Sequence, residues 1–301
     1  MNHKKAIAID IGATNTRVAL IDDIGQLLYK RQTKTVHTES NHEFINFLRD
    51  FIDESFKASD LLSASGFGIS IAGFIDLKKG LLVRSPNLPN QNLDLVESLH
   101  RSYQKEIILN NDTNAALLGE KWWGHGKNET DFAFLTFSTG IGGSAFVDNK
   151  LITDDRGNSL EIGHITIDSD YNQLCGCGGK NHWEAYASGI NLPEFLKAWA
   201  EKSKLKLNFD GSSVFTIFDA INLGDNQANQ FFTEVMRINM IGINHLIEKY
   251  SPTLIILGGS VYLHHQELFN KYLPKKPVFK SAFFGDNDSL VGSVSPILSS
   301  K

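Results

Sequence analysis

One pattern occurs twice in this chain and limits its possible folds more than any other feature. Lys5 to Asp10 alternates weakly and runs into Ile11-Gly12-Ala13-Thr14-Asn15-Thr16; Arg17 to Ile21 resumes a β pattern and Asp22-Asp23-Ile24-Gly25 turns. Phe132 to Phe137 runs into Ser138-Thr139-Gly140-Ile141-Gly142-Gly143; Ser144 to Val147 is extended again and Asp148-Asn149-Lys150 turns. A strand, a small-residue turn, a strand and an acidic turn in each half predict an internal duplication. The expected architecture is α/β, two domains around a central cleft, with the two turns facing each other across it. Gly, Thr and Asn leave backbone N–H groups open to phosphate, so such a pair could hold the two ends of a polyphosphate. Two unrelated polar hairpins are the alternative.

A chain of 301 residues suits two domains of ordinary size, and 42% hydrophobic residues suffice for their cores. The break at Gly124-His125-Gly126 places the expected boundary there: 1–123 forms the first domain and 124–286 the second. Net charge is −5 with Lys and Arg scattered, which argues against a nucleic-acid partner. No apolar run is long enough to span a membrane, and the N-terminus lacks a signal peptide's apolar block. Two cysteines, two residues apart, make no disulfide framework, so a reducing cytoplasm is expected.

In Asn110-Asn111-Asp112-Thr113-Asn114, an apolar run, Ile107 to Leu109, enters as a strand, and Thr113 to Trp123 leaves as a helix. Asp112 at that junction has free backbone N–H groups and a positive helix end beside it, where a carboxylate can accept a proton from a bound hydroxyl. An N-cap is the plainer role. Gly66 to Gly73 reads as a buried strand entering a glycine turn, and Ser85-Pro86-Asn87-Leu88-Pro89-Asn90 as a stiffened loop offering an amide to hydroxyls, or a structural turn. Asn41 to Lys57, Asp94 to Gln104, Ala185 to Lys202 and Gln227 to Tyr250 predict helices. Thr253 to Leu257 predicts a buried strand ending in Gly258-Gly259, where a nucleotide's base or ribose could approach closely or the chain simply turns. Phe283 to Lys301 reads as a last helix interrupted by Pro296.

His164, Cys175, Cys177 and His182 fall within 19 residues, and both of the chain's cysteines are among them. Thiolate and imidazole at such spacing suit tetrahedral Zn²⁺, and four protein ligands make the site structural. Two free cysteines in a glycine loop are the alternative. The loop carries Glu161 and Glu184, which could bind sugar hydroxyls or be ordinary solvated acids.

Together these residues resemble the ROK family (repressors, open reading frames, kinases), within the actin-like, sugar-kinase and heat-shock-protein-70 ATPase superfamily. Asp10-Ile11-Gly12-Ala13-Thr14 and Thr139-Gly140-Ile141-Gly142-Gly143 resemble its two phosphate motifs. Pro86-Asn87-Leu88-Pro89 resembles a sugar loop of the glucokinase branch, and Asn111-Asp112 the pair whose Asp is the catalytic base. Glu161-Ile162-Gly163-His164 and Cys175-Gly176-Cys177-Gly178 with Glu184 resemble its sugar- and zinc-binding signature, and Gly258-Gly259 its adenosine motif. The chain departs at His182, where a third cysteine is usual, at Ser138 and Ser144, where Gly is more usual, and at Asn110, often acidic.

The resemblance implies a duplicated actin-like (ribonuclease H-like) ATPase fold whose C-terminal helix, 287–301, packs back on the N-terminal domain. It implies phosphorylation of a hexose 6-hydroxyl by ATP with Mg²⁺, glucose first, and N-acetylglucosamine, N-acetylmannosamine or fructose as alternatives. Asp112 would be the base. Gly73, Asn87, Asn111, Glu161, His164 and Glu184 would bind the sugar, and Asp10, Gly12, Thr14, Asn15, Thr139, Gly140, Gly258 and Gly259 the nucleotide. A homodimer is the family's common state. A non-catalytic sugar-sensing regulator is the other class; the absence of a winged-helix segment before Lys5 disfavours it.

Overall fold

The computed structural model describes residues 3–167 and 169–299. The chain divides into two units. One comprises the residues up to Thr130, Asn149–Ser159 and the segment from Ala282 on; the other comprises Asp131–Asp148 and Leu160–Ser281. The first division thus falls after Thr130, a few residues past the expected Gly124.

In the first unit, β1 (Lys5–Ile11), β2 (Asn15–Asp22) and β3 (Leu27–Lys34) form an antiparallel meander. Helices α1 (Asn41–Ser55) and α2 (Ala58–Ser63) follow. Ser40 caps α1 by accepting the Glu43 N–H, and Phe44, Leu48, Phe51 and Ile52, spaced at helical period, turn one face inward. Strand β4 (Gly66–Ile71), apolar but for Ser70, is buried throughout, as a strand covered on both faces must be. A small sheet of β5 (Phe74–Asp76), β6 (Leu81–Arg84) and β7 (Gln91–Asp94) comes next. Then α3 (Val96–Tyr103) leads to β8 (Glu106–Asn111) and α4 (Asp112–Trp122). The main sheet has order β3-β2-β1-β4-β8, with β4 parallel to β1 and to β8.

The second sheet, built from β9 (Phe132–Phe137), β10 (Ile141–Val147), β11 (Lys150–Leu151), β12 (Leu254–Gly258) and β13 (Val278–Ser281), has order β11-β10-β9-β12-β13. A meander first strand pairs on its far side with a parallel strand, as β1 does with β4. The duplicated pattern is thus one topology used twice. The helices between are α5 (Glu184–Ala187), α6 (Leu192–Lys202), α7 (Val214–Asn222), α8 (Asn226–Tyr250) and α9 (Ser260–Asn270). The single helix expected from Ala185 to Lys202 is two, because Ser188 turns extended and Asn191 bonds back to Ser188 Oγ and the Glu184 carbonyl. The aromatic and aliphatic faces of α6, α7 and α8 pack on this sheet as one core.

From Ala282 the chain returns to the first unit and ends in α10 (Asp288–Gly292) and α11 (Ser295–Leu298). Pro296 lies in the first turn of α11, where its missing N–H costs nothing; the break falls at Ser293-Val294. Leu290, Val291, Val294, Ile297 and Leu298 pack on Ala6, Ala8, Ala19 and Ile21, so the segment covers one face of the first sheet. The other face carries the core that includes the buried side of α1. Among the described residues no helix is long and apolar enough to cross a membrane.

Candidate active site

Parallel pairing brings three strand ends of the first unit into one row. Asp10 of β1 stands beside Ser70 of β4, which stands beside Asn110 of β8; one position on, Ile11, Ile71 and Asn111 align. Asn111 is the N-cap of α4: its Oδ1 accepts the Thr113 N–H at 3.0 Å and the Thr113 hydroxyl at 2.7 Å. The capping role open to Asp112 in the sequence therefore falls to Asn111. Asp112 is the first helical residue, half-buried at the positive helix end, with Oδ1 accepting the Thr113 N–H at 2.9 Å. Asn111 Nδ2 reaches the Gly73 carbonyl at 3.4 Å. Gly73 has φ +140, and a Cβ there would lie 2.7 Å from the Arg84 carbonyl oxygen, so the turn after β4 tolerates only glycine. Asn87 is half-buried in its loop, its N–H donating to Ser85 Oγ at 3.1 Å.

Asp10 is saturated. Its Oδ2 accepts Arg17 Nε at 3.0 Å and Nη2 at 2.7 Å; its Oδ1 accepts the hydroxyls of Ser70 and Ser289, each at 2.9 Å. A carboxylate has about four lone-pair sites, so Asp10 offers none for direct coordination of a cation. The turn that follows points its carbonyls into the protein. Gly12 C=O accepts the Thr35 hydroxyl at 2.8 Å and Ala13 C=O accepts from His37 Nε2 at 2.9 Å. Thr14 C=O accepts the Thr35 N–H at 3.0 Å, and Asn15 C=O accepts the Gly12 N–H at 3.1 Å. The N–H groups of Ala13 and Thr14 have no partner among the described residues, which leaves both donors to a phosphate. Arg17, Thr35, His37, Ser70 and Ser289 escape the motif reading. Only strand pairing and the chain's return at its end bring them there.

The second unit repeats the arrangement. Ser138 C=O accepts the Gly189 N–H at 2.8 Å, Thr139 C=O accepts the Ile190 N–H at 3.3 Å, and Gly140 C=O accepts the Ser138 N–H at 2.9 Å. The N–H groups of Thr139 and Gly140 are again unused among the described residues. Gly258 pairs with Thr136 across the sheet. A Cβ on Gly258 would meet the Phe134 ring at 2.5 Å, and one on Gly259 (φ +85) would meet Thr136 Oγ1 and Phe137 O, each at 2.4 Å. Neither position has room for a Cβ.

Glu161 sits at φ +49 ahead of a 3₁₀ turn, Ile162–His164, that aims His164. Two sides of that ring face different partners: Nδ1 lies 3.7 Å from Cys175 Sγ, and Nε2 lies 3.6 Å from Glu161 Oε2. Cys177 Sγ lies 3.1 Å from His182 Nδ1. One ligand atom from each of His164, Cys175, Cys177 and His182 falls within 4.8 Å of all the others. A tetrahedral zinc with Zn–S of about 2.3 Å and Zn–N of about 2.0–2.1 Å needs neighbouring donors roughly 3.3–3.8 Å apart, so the set fits this ion after small inward side-chain movements. Burial pushes the Cys175 thiol up to about 11, with Glu184 and Cys177 adding to it. Burial and the His164 ring lower His182, favouring the neutral, ligating form. Glu184 opens α5, and its Oε2 accepts the Ile141 N–H at 2.9 Å.

The ROK family profile matches residues 6–296. A glucokinase from Pyrobaculum calidifontis is 30% identical over 301 aligned residues, covering 96% of this chain and 93% of that protein. A xylose repressor from Caldicellulosiruptor bescii is 26% identical, covering 84% of this chain and 65% of that protein. Among solved structures, a ROK family glucokinase from Streptomyces griseus in complex with glucose and AMPPNP superposes with a TM-score of 0.76 at 26% identity, covering 96% of this chain and 97% of that one.

Proposed function

The chain belongs to the ROK family, and from that premise we propose that it is an ATP-dependent hexose kinase acting on the 6-hydroxyl of glucose. The observation that carries the reading is the placement of Asp112. It is a half-buried carboxylate at a helix N-terminus, one residue past the aligned strand ends that also present Asp10. The glucose and AMPPNP bound by the Streptomyces griseus relative support both substrates.

In this reading Asp112 takes the proton of the 6-hydroxyl as that oxygen attacks the γ-phosphorus, whose bond to the β–γ bridging oxygen breaks so that ADP leaves. Phosphoryl transfer asks little covalent chemistry of the protein, so orientation and charge neutralisation carry the rate. The exposed N–H groups of Ala13, Thr14, Thr139 and Gly140 donate to phosphate oxygens. Asn87, Asn111, Glu161, His164 Nε2 and Glu184 orient sugar hydroxyls, each costly to leave unpaired. Mg²⁺ would supply charge neutralisation between phosphates. Since Asp10 has no open oxygen, it would meet such an ion through water. Zinc held by His164, Cys175, Cys177 and His182 would be structural, fixing the loop that bears Glu184.

A panel of glucose, mannose, fructose, N-acetylglucosamine and N-acetylmannosamine with ATP, read by ADP release, tests the reading. Glucose is expected to turn over best. Asp112→Asn should hold glucose with near-native affinity and lose about 10²–10⁴-fold in kcat; near-native turnover in that variant refutes the role of Asp112. The repressor relative makes a sugar-responsive regulator the second reading. It predicts sugar binding by calorimetry with no ADP from any sugar.

A further inference from the structure

Glu184 has two oxygens with two different neighbours, both inside the second unit. Oε2 accepts the Ile141 N–H at 2.9 Å. The carbonyl of that same Gly140–Ile141 peptide accepts the Ser138 N–H at 2.9 Å, so the peptide plane is held from both sides. A Cβ on Gly140 would stand 2.4 Å from Oε2: the carboxylate occupies the space that glycine leaves. Oε1 lies 4.0 Å from Cys175 Sγ, one of the four clustered donors. The residue's own backbone is anchored by Asn191 Nδ2 on its carbonyl at 3.1 Å. One short helix start thus touches the turn whose outward N–H groups suit phosphate and the loop that could hold a metal.

We infer that Glu184 is a positioning residue that couples the state of the His164–Cys175–Cys177–His182 cluster to the nucleotide-binding competence of the Ser138–Ile141 turn. The inference deepens the kinase reading and rests on it for what the turn binds. A metal drawing the four ligands together fixes the 175–183 loop and with it the start of α5. The Glu184–Ile141 bond then stays formed, and the Thr139 and Gly140 N–H groups keep one direction. Without the metal the loop keeps its hydrogen bonds, among them Trp183 Nε1 on Asn239 Oδ1 at 2.8 Å and the Ile167 N–H on the Asn181 carbonyl at 2.7 Å, but loses the link from Cys175 and Cys177 to the two histidines. The Cys175 side of Glu184 is then less constrained, and the turn becomes freer to rotate that peptide.

The test is calorimetric binding of Mg-AMPPNP without sugar, on zinc-loaded and chelator-treated full-length protein. The wild type is expected to lose roughly tenfold in affinity on chelation, in the ordinary range of site-to-site coupling. Zinc-loaded Glu184→Ala is expected to bind as weakly as the chelated wild type, with chelation adding nothing further. Glu184→Gln keeps an oxygen for the Ile141 N–H and is expected to restore most of the affinity, which separates positioning from a folding defect. Equal nucleotide binding by wild type and Glu184→Ala, no effect of chelation on the wild type, or equal loss on chelation in both proteins overturns the inference alone. A wild type that binds no Mg-AMPPNP in either state overturns the kinase reading together with it.

Discussion

Thr35 is a buried residue that follows, two strands later in the sequence, the turn it supports. Its hydroxyl contacts the Thr16 hydroxyl at 3.0 Å and donates to the Gly12 carbonyl at 2.8 Å. With His37 on the Ala13 carbonyl, it decides which way the first turn's peptides face. Thr35→Val keeps the shape and removes the donor. A buried polar group left unpaired costs about 1–3 kcal/mol. If one or two of those fall on the turn's outward N–H geometry, KM for ATP should rise roughly 5–30-fold while KM for the sugar stays near native. A steady-state titration of each substrate checks this, and an unchanged KM for ATP would show that the turn holds its shape without Thr35. Asp112 is legible in the sequence because one dipeptide joins a strand to a helix. Thr35 is not, because only the β2–β3 pairing returns it to Gly12.

At the scale of elements, what the sequence shows and hides divides by the source of the signal. The helix Asn226–Tyr250 and the strand Leu254–Gly258 are visible because periodicity and an unbroken apolar run are local properties. The end of the chain is misread as one interrupted helix. Its break is set by contacts distant in sequence: the Ser293 hydroxyl on the Gly68 carbonyl at 3.2 Å, and the Asn110 amide on the Ser293 carbonyl at 3.3 Å. Helix α10 crosses α4 so closely that a Cβ on Gly292 would overlap the Ala115 carbonyl. That crossing buries two acids. Glu120, fully buried, accepts the His125 N–H at 2.7 Å and the Phe283 N–H at 2.6 Å. Asp288, 3% exposed, accepts the Phe284 N–H at 3.0 Å. Burial, and then the charge of Glu120, hold the Asp288 carboxyl well above its ordinary 3.8. The folded protein therefore keeps a proton that the unfolded chain releases above about that pH. Its contribution is present at low pH and is lost as pH rises from 3.8 through the raised value. Asp288→Asn fixes the neutral form and can still accept the Phe284 N–H. Its Tm should exceed that of the wild type at pH 8, the gap closing toward pH 4. A gap independent of pH would mean that Asp288 is ionised in the folded state.

At the scale of the whole molecule, the two units differ in how the chain builds them. The core of the second is made by residues lying between Ala133 and Phe279. The first is discontinuous: one face of its sheet is covered by Leu290, Val291, Val294, Ile297 and Leu298, which follow the entire second unit in sequence. Fully burying each such side chain is worth about 1.5–3 kcal/mol, so the five together contribute on the order of 8–15 kcal/mol before entropy. That is the size of a domain's whole net stability. The same segment supplies the Ser289 hydroxyl to Asp10 and the Ser293 carbonyl to Asn110. Ending the chain after Ser281 should therefore unfold the first unit and spare the second, whose core it leaves intact. Hydrogen exchange followed by mass spectrometry reads this directly: amides of β1, β4 and β8 should exchange at unfolded rates while those of α8 and β12 remain protected. Full-length protein should show both sets protected. If β1, β4 and β8 keep their protection after the truncation, the first sheet is stable with one face bare and the C-terminal segment serves only to hold Asp10 and Asn110. If α8 and β12 lose theirs as well, the two units fold as one cooperative body.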